Sequence, residues 1–289
     1  MKTNRYEEVK KIGILGIVAN IFLLTIKLMI AVVCKSQGMI ADTLNSALDI
    51  FASFMTYIGS RVSEIPSDES HPHGHEKAEY LFSFTISLVM IGTTISIIIN
   101  SFKSIIEKQE FEISKWIYVI CLITIVIKFC MWIYTRSKYK KYKNILILAN
   151  SEDHRNDLFL TTGTLIGIVF AENGYYFVDG IMGILISTWI CYVAINIMRE
   201  SNRVLMDSNL CKDEIDSIEK IIMKNEHILH VDKIIAKPTG IKYMLLIKLS
   251  MDGNLSLNKS HKQAGIIKEK ILNEKKDTIA DVIIHINPH

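Results

Sequence analysis

Proline is scarce in this chain, with 4 in 289 residues, and there are only 14 glycines, so collagen-like, Pro-rich and low-complexity architectures are excluded. Charge is scarce too: Asp, Glu, Lys and Arg make up 22% against 49% hydrophobic residues, and the mean hydropathy is +0.27. That balance is too apolar for an ordinary soluble enzyme and places the chain in a membrane. No stretch is polar enough to remain a long unfolded tail. The net charge of +3 is small, and Lys and Arg fall in short clusters beside apolar runs, so nucleic acid is not an expected partner. Five cysteines (Cys34, Cys121, Cys130, Cys191, Cys211) are scattered without a Cys-x-x-Cys pair and read as small core residues. His-Glu-x-x-His and Gly-x-Ser-x-Gly are also missing, which argues against an intramembrane hydrolase; no enzymatic activity is expected.

What the chain has instead is a series of long apolar runs. Ile12–Cys34, broken only by Lys27, suffices to cross a bilayer, which takes about 20 helical residues. No small-residue cleavage site ends it, so it reads as an anchor and not a signal peptide. Met39–Val62, Tyr80–Asn100, Trp116–Tyr134 and Tyr175–Met198 are further spans. A fifth must lie between the last two, yet Leu158–Ala171 is too short alone and follows the polar run Ser151–Asp157. Because neither Pro nor Gly interrupts residues 144–162, the helix is extended back to Ile145 with a polar patch inside it. Such a patch is costly in lipid and survives only against other helices or a wet cavity, which makes it a functional candidate.

Six transmembrane helices put both termini on one side. Lys2, Arg5, Lys10 and Lys11 precede the first, and Arg61, Lys77, Arg136, Lys138, Lys140, Lys141, Lys143, Arg199 and Arg203 follow the even-numbered ones. The opposite loops hold only Lys35, Lys103, Lys108 and Lys115, so both termini are expected in the cytoplasm of a multi-pass inner or plasma membrane protein. After residue 205 the composition becomes mixed. Lys212–Lys224 has helical periodicity, Ile228–Ala236 and Tyr243–Met251 look like strands, Leu257–Asn273 is helical and Asp281–Ile286 is a last strand. Residues 1–205 are thus expected to be a transmembrane domain and 206–289 a small cytoplasmic α+β domain in the order αββαβ, with Pro238-Thr239-Gly240 as the hairpin turn.

On the second span Asp42, Asn45 and Asp49 share one helix face, as do Asp153 and Asp157 on the fifth. If those helices face each other, Asn45, Asp49, Asp153 and Asp157 offer four oxygen donors. Three carboxylates and an amide suit Mn²⁺ or a similar oxygen-preferring divalent ion better than Zn²⁺, which favours imidazole and thiolate. Asp42 lies a turn away, at the rim or in helix packing. The bland alternative pairs Asp153 with Arg155 or Lys27. Between spans two and three runs a stretch with three histidines, His71, His73 and His75, among Asp68, Glu69, Glu76 and Glu79; imidazole and carboxylate are both ready metal ligands near neutral pH.

The Asp42–Asp49 segment, the run His71-Pro-His-Gly-His75-Glu-Lys-Ala-Glu79, the Asp153-x-x-x-Asp157 pair and the C-terminal α+β pattern together resemble the cation diffusion facilitator family of divalent-metal exporters, over the whole chain. The quartet is similar to that of its manganese-exporting branch. The resemblance implies a six-helix membrane domain with a metallochaperone-like cytoplasmic domain, in a lipid-embedded homodimer. It implies efflux of a divalent cation, Mn²⁺ first and Zn²⁺, Fe²⁺ or Cd²⁺ as alternatives, in exchange for protons by alternating access, with no cofactor. A membrane metal sensor without transport is the other alternative. Asp68, His71 and His75 match a loop metal site of zinc-type relatives. In the cytoplasmic domain His261 and His285 match ligand positions, with Asp232, Lys248 and Asn287 where stronger ligands are usual; His230 and His289 are nearby substitutes. Asn20, Lys27 and Asp179 match polar positions of the family, read here as helix packing. Glu152 and His154 beside the quartet are accessory: a proton relay, or residues of a cytoplasmic vestibule.

Overall fold

The computed structural model describes residues 2–34, 37–107, 115–175 and 177–289, and the side chains of 4–29, 46–106, 115–175, 177–178 and 180–289. Asp42, Asn45 and Asp179 therefore lie outside the described side chains, as do Lys35 and Lys108.

Among the described residues, six long helices come first: α1 Lys2–Cys34, α2 Gln37–Ser63, α3 Ala78–Glu107, α4 Lys115–Tyr142, α5 Ile145–Glu172 and α6 Phe177–Leu205. Stretches of α1, α3, α4 and α6, each 26 to 29 residues, are long and apolar enough to cross a membrane by length and composition. Their outward faces carry large apolar residues such as Val18, Leu122, Leu185 and Tyr192, as lipid contact requires. Helices α2 and α5 match them in length, at 27 and 28 residues, but hold the polar residues.

Helix α5 starts where the uninterrupted run predicts, and the cause is local. Asn144 has extended backbone and its side chain accepts from the backbone N–H of Leu146 at 2.8 Å and Ile147 at 3.1 Å, capping the helix. The polar run Ser151–Asp157 then continues as helix, buried except for half-buried Arg155. Helix α1 meets α2 closely: a Cβ on Gly13 would stand 2.9 Å from the Cα of Tyr57, so only glycine permits that approach.

Two compact units emerge, Met1–Ile65 with Ala78–Asn202, and Pro66–Lys77 with Arg203–His289. The histidine-bearing loop thus packs with C-terminal residues. In the second unit, α7 Lys212–Ile222 and α8 Leu257–Glu274 cover a sheet of β1 Ile228–Pro238, β2 Tyr243–Met251 and β3 Ile279–Pro288. The order is β1-β2-β3, with β1 antiparallel and β3 parallel to β2. Alternation along β2 buries Leu245, Ile247 and Leu249 against Ile218, Ile222, Ile267 and Ile271 of the helices. Gly240, in the turn between β1 and β2, has φ +136°, and its missing Cβ makes room for Glu76 of the loop, whose Oε2 accepts from the N–H of Ile241 at 3.3 Å.

Candidate metal centre

Asp49 of α2 and Asp153, Asn156 and Asp157 of α5 line one cavity of about 20 Å³, together with apolar residues including Met90 of α3. That volume suits a single water or ion. The carboxylates of Asp49, Asp153 and Asp157 are all buried. Two like charges about 4 Å apart repel by roughly 4 kcal/mol at an effective dielectric near 20, so the cluster requires cationic company.

One cation is built in. Lys128 of α4 is buried, its side chain 2% exposed, and its ammonium donates to Asp49 Oδ2 at 2.9 Å and to Asp157 Oδ2. Sequence inspection passes over this lysine because a single charge in the apolar run Trp116–Tyr134 does not disturb the span. The available signal was that very isolation, since a lone intramembrane lysine needs a carboxylate partner.

Neighbouring groups are left with capacity to spare. Asp153 Oδ2, both ring nitrogens of His154 and both amide atoms of Asn156 are buried without a protein partner among the described residues. Asp153, His154 and Asp157 each offer one possible ligand atom within 4.8 Å of the others. His154 therefore adds a nitrogen within reach of the carboxylates that a count of oxygens omits, although it is not one of the residues lining the cavity. Glu152 stands elsewhere: Arg136 donates to its Oε1 at 3.1 Å and Arg155 pairs with its other oxygen. Arg155 is thus engaged with Glu152, while Lys27 donates to Ser46 at 3.0 Å and Asn20 to Ser53 at 3.2 Å, joining α1 to α2.

A second constellation is the loop. Asp68, His71 and His75 also offer ligand atoms within 4.8 Å of one another. Asp68 Oδ1 accepts from the backbone N–H of His71 at 2.6 Å, and that bond, with the nearby imidazoles, holds its carboxyl below the usual range. His75 Nδ1 lies 3.3 Å from the Pro66 carbonyl, which can only accept, and its Nε2 lies 3.6 Å from Asp68 Oδ2, on the side where the ligand atoms converge. Gly74, at φ +78°, permits the tight turn between the two histidines.

The C-terminal candidates are not assembled. Asp232 accepts from Asn287 at 2.6 Å and Ser250 at 2.9 Å, bonds that hold its carboxyl low, and pairs with His230 at 2.7 Å. His289 stacks edge-on to His230, with ring centroids 5.3 Å apart. His261 on α8 and His285 on β3 are exposed, and His285 sits in register beside Lys248. Among the described residues, no cluster of three ligand atoms forms from Asp232, His261 and His285.

Apolar helices around buried carboxylates that face an ion-sized cavity, followed by a small α+β domain, define a membrane protein that handles a small cation. The chain belongs to the cation efflux family, a transporter family and not an enzyme family: residues 13–206 match its transmembrane domain and residues 210–289 its cytoplasmic domain. It is 25% identical to the manganese efflux system protein MneP of Bacillus subtilis over 296 residues, covering 100% of this chain and 99% of that one. To the manganese efflux system protein MneS of the same organism it is 31% identical over 276 residues, 93% and 94% of the two chains. The cation-efflux pump FieF of Shewanella oneidensis is 26% identical over 288 residues, 99% and 97% of the two. The chain is therefore a multi-pass cation efflux transporter.

Proposed function

We propose that this transporter exports Mn²⁺ from the cytoplasm in exchange for protons, as a homodimer with both termini cytoplasmic, through Asn45, Asp49, Asp153 and Asp157. The observation that carries the reading is a cavity shared by carboxylates of α2 and α5. Asn45 belongs to the set by spacing, one helical turn before Asp49 on α2. Oxygen donors in this number suit a hard divalent ion. The two manganese efflux relatives point the same way. Residues 1–205 serve translocation and 206–289 dimerisation, with Asp68, His71 and His75 as an ion-capturing loop.

In the mechanism the quartet opens to the cytoplasm, takes the ion, reopens outward and releases it as carboxylates take protons. Packed carboxylates compete for protons and metal alike, which is the physical basis of exchange. A second reading rests on His154: a nitrogen donor within reach of the carboxylates extends the range towards Fe²⁺ and Zn²⁺.

The test is flux into proteoliposomes, comparing Mn²⁺, Fe²⁺, Zn²⁺ and Cd²⁺ with and without a pH gradient. Wild-type protein should carry Mn²⁺ in a gradient-dependent way, and Asp49→Ala or Asp157→Ala should abolish it in dimers that still fold. Binding without flux would make the protein a metal sensor.

A further inference from the structure

Lys128 has no part in the mechanism so far, yet it holds two of its carboxylates. Its ammonium is buried on α4 and bridges Asp49 of α2 to Asp157 of α5, while Asp153 keeps an oxygen without a protein partner. A divalent ion coordinated by Asp49 and Asp157 seeks the same lone pairs as the ammonium. Both cations cannot hold those oxygens at once.

We infer that Lys128 is a tethered cation that competes with the transported ion for Asp49 and Asp157 and, by returning to them, drives the ion off. This deepens the reading of those carboxylates as the transport site and rests on it.

Charge supports the assignment. The ammonium of Lys128 offsets one of the three carboxylate charges by direct contact, while Lys27 of α1 acts on Asp157 only through space. Without Lys128 the cluster would be more negative by one charge, and a divalent ion would be held too tightly, because a site that must release its cargo on each cycle cannot bind it too strongly. Lysine suits the task better than arginine. Its ammonium is a compact point charge on a flexible stem that can swing aside, whereas a guanidinium fork grips carboxylates through two parallel bonds. Asp153 and His154, on the side not held by the lysine, would be the first ligands the ion meets, and displacement of Lys128 would complete coordination.

The experiment uses full-length dimer. Mn²⁺ binding is measured by equilibrium dialysis in detergent, and flux in proteoliposomes, for wild type, Lys128→Met, Lys128→Arg and Asp49→Asn. Relief of competition should make Lys128→Met bind Mn²⁺ at least about tenfold tighter, given the Coulomb energy of a unit charge at this range. Its maximal flux should fall together with KM. Lys128→Arg should bind more weakly than wild type, since its fork is harder to displace. A merely structural lysine predicts the same direction for both variants, weaker binding with lower melting temperature.

Unchanged or weaker binding by Lys128→Met overturns the inference. Should that variant not yield a folded dimer, Lys128→Arg decides alone: weaker binding with an intact melting temperature sustains the inference, and unchanged or tighter binding overturns it. Asp49→Asn separates this from failure of the parent reading. If Asp49→Asn binds and carries Mn²⁺ like wild type, the transport site itself is misassigned.

Discussion

Arg5 grips Glu79 through two parallel bonds, Nη1 to Oε1 at 2.8 Å and Nη2 to Oε2 at 2.6 Å, and so ties the start of α1 to the start of α3. Both residues are buried. In the sequence Glu79 looks like the end of the metal-binding loop, but its carboxylate is committed to a guanidinium and to the positive end of the α3 dipole. Replacing Glu79 with Gln should leave a buried arginine charge without its partner and cost about 3–5 kcal/mol, the usual penalty for breaking a buried pair from one side. The check is thermal unfolding of the purified protein. The double change Arg5→Met with Glu79→Leu should recover much of that loss, because it removes both charges together.

His154 offers a test of which donors rank the ions. Both ring nitrogens are buried without a protein partner among the described residues, so replacing His154 with Leu removes unpaired polar atoms and should leave stability unchanged or raise it. If imidazole ligates the ion, the same variant should lose Zn²⁺ and Fe²⁺ flux by about tenfold relative to Mn²⁺, since the remaining donors are oxygens. Competition assays in proteoliposomes report the ratio. An unchanged ratio would assign His154 to packing.

The loop invites a kinetic distinction. Changing His71 and His75 together to Ala should lower flux at limiting Mn²⁺ and leave saturated flux nearly intact if the loop raises local ion concentration. A structural metal site would instead lower flux at every concentration and reduce the melting temperature, because a bound ion stabilises only the folded arrangement. Initial rates across a Mn²⁺ series, beside melting with and without metal, separate the two.

Acid should loosen the loop from the C-terminal residues. Lys77 donates to Asp207 at 2.5 Å, and this bond, with Lys237 nearby, holds the Asp207 carboxyl below its usual value. A depressed carboxyl contributes stability above its unfolded value, near 4, and loses it as pH falls through the folded value. The pair is about 40% exposed and therefore screened, so the effect is small, below about 1 kcal/mol. Melting temperature should fall between pH 5 and pH 3, less steeply in Asp207→Asn. Equal slopes would remove the pair from the acid response.

Periodicity and composition were enough to lay out most of the architecture. Apolar runs announce helices because the bilayer leaves a backbone no other way to satisfy itself, and a polar stretch without Pro or Gly could be read as helix α5 before its packing, or the cap at Asn144, was known. Runs rich in Ile, Leu and Val likewise exposed the strands, and helical periodicity their covering helices, since each pattern reflects a local rule of which residues meet the core. The spacing of Asp153 and Asp157 on α5 already put both on one face. Spacing along one helix is silent about the next, however. That Lys128 reaches Asp49 and Asp157, that His154 comes within reach of the carboxylates while Glu152 turns to Arg136 and Arg155, and that Glu79 belongs to Arg5 are relations between residues distant in sequence. The loop's attachment to Gly240 and Asp207 is of the same kind. Only the tertiary packing of helix on helix decided them, because a buried charge takes whichever partner the fold brings within reach, and no local pattern records that choice.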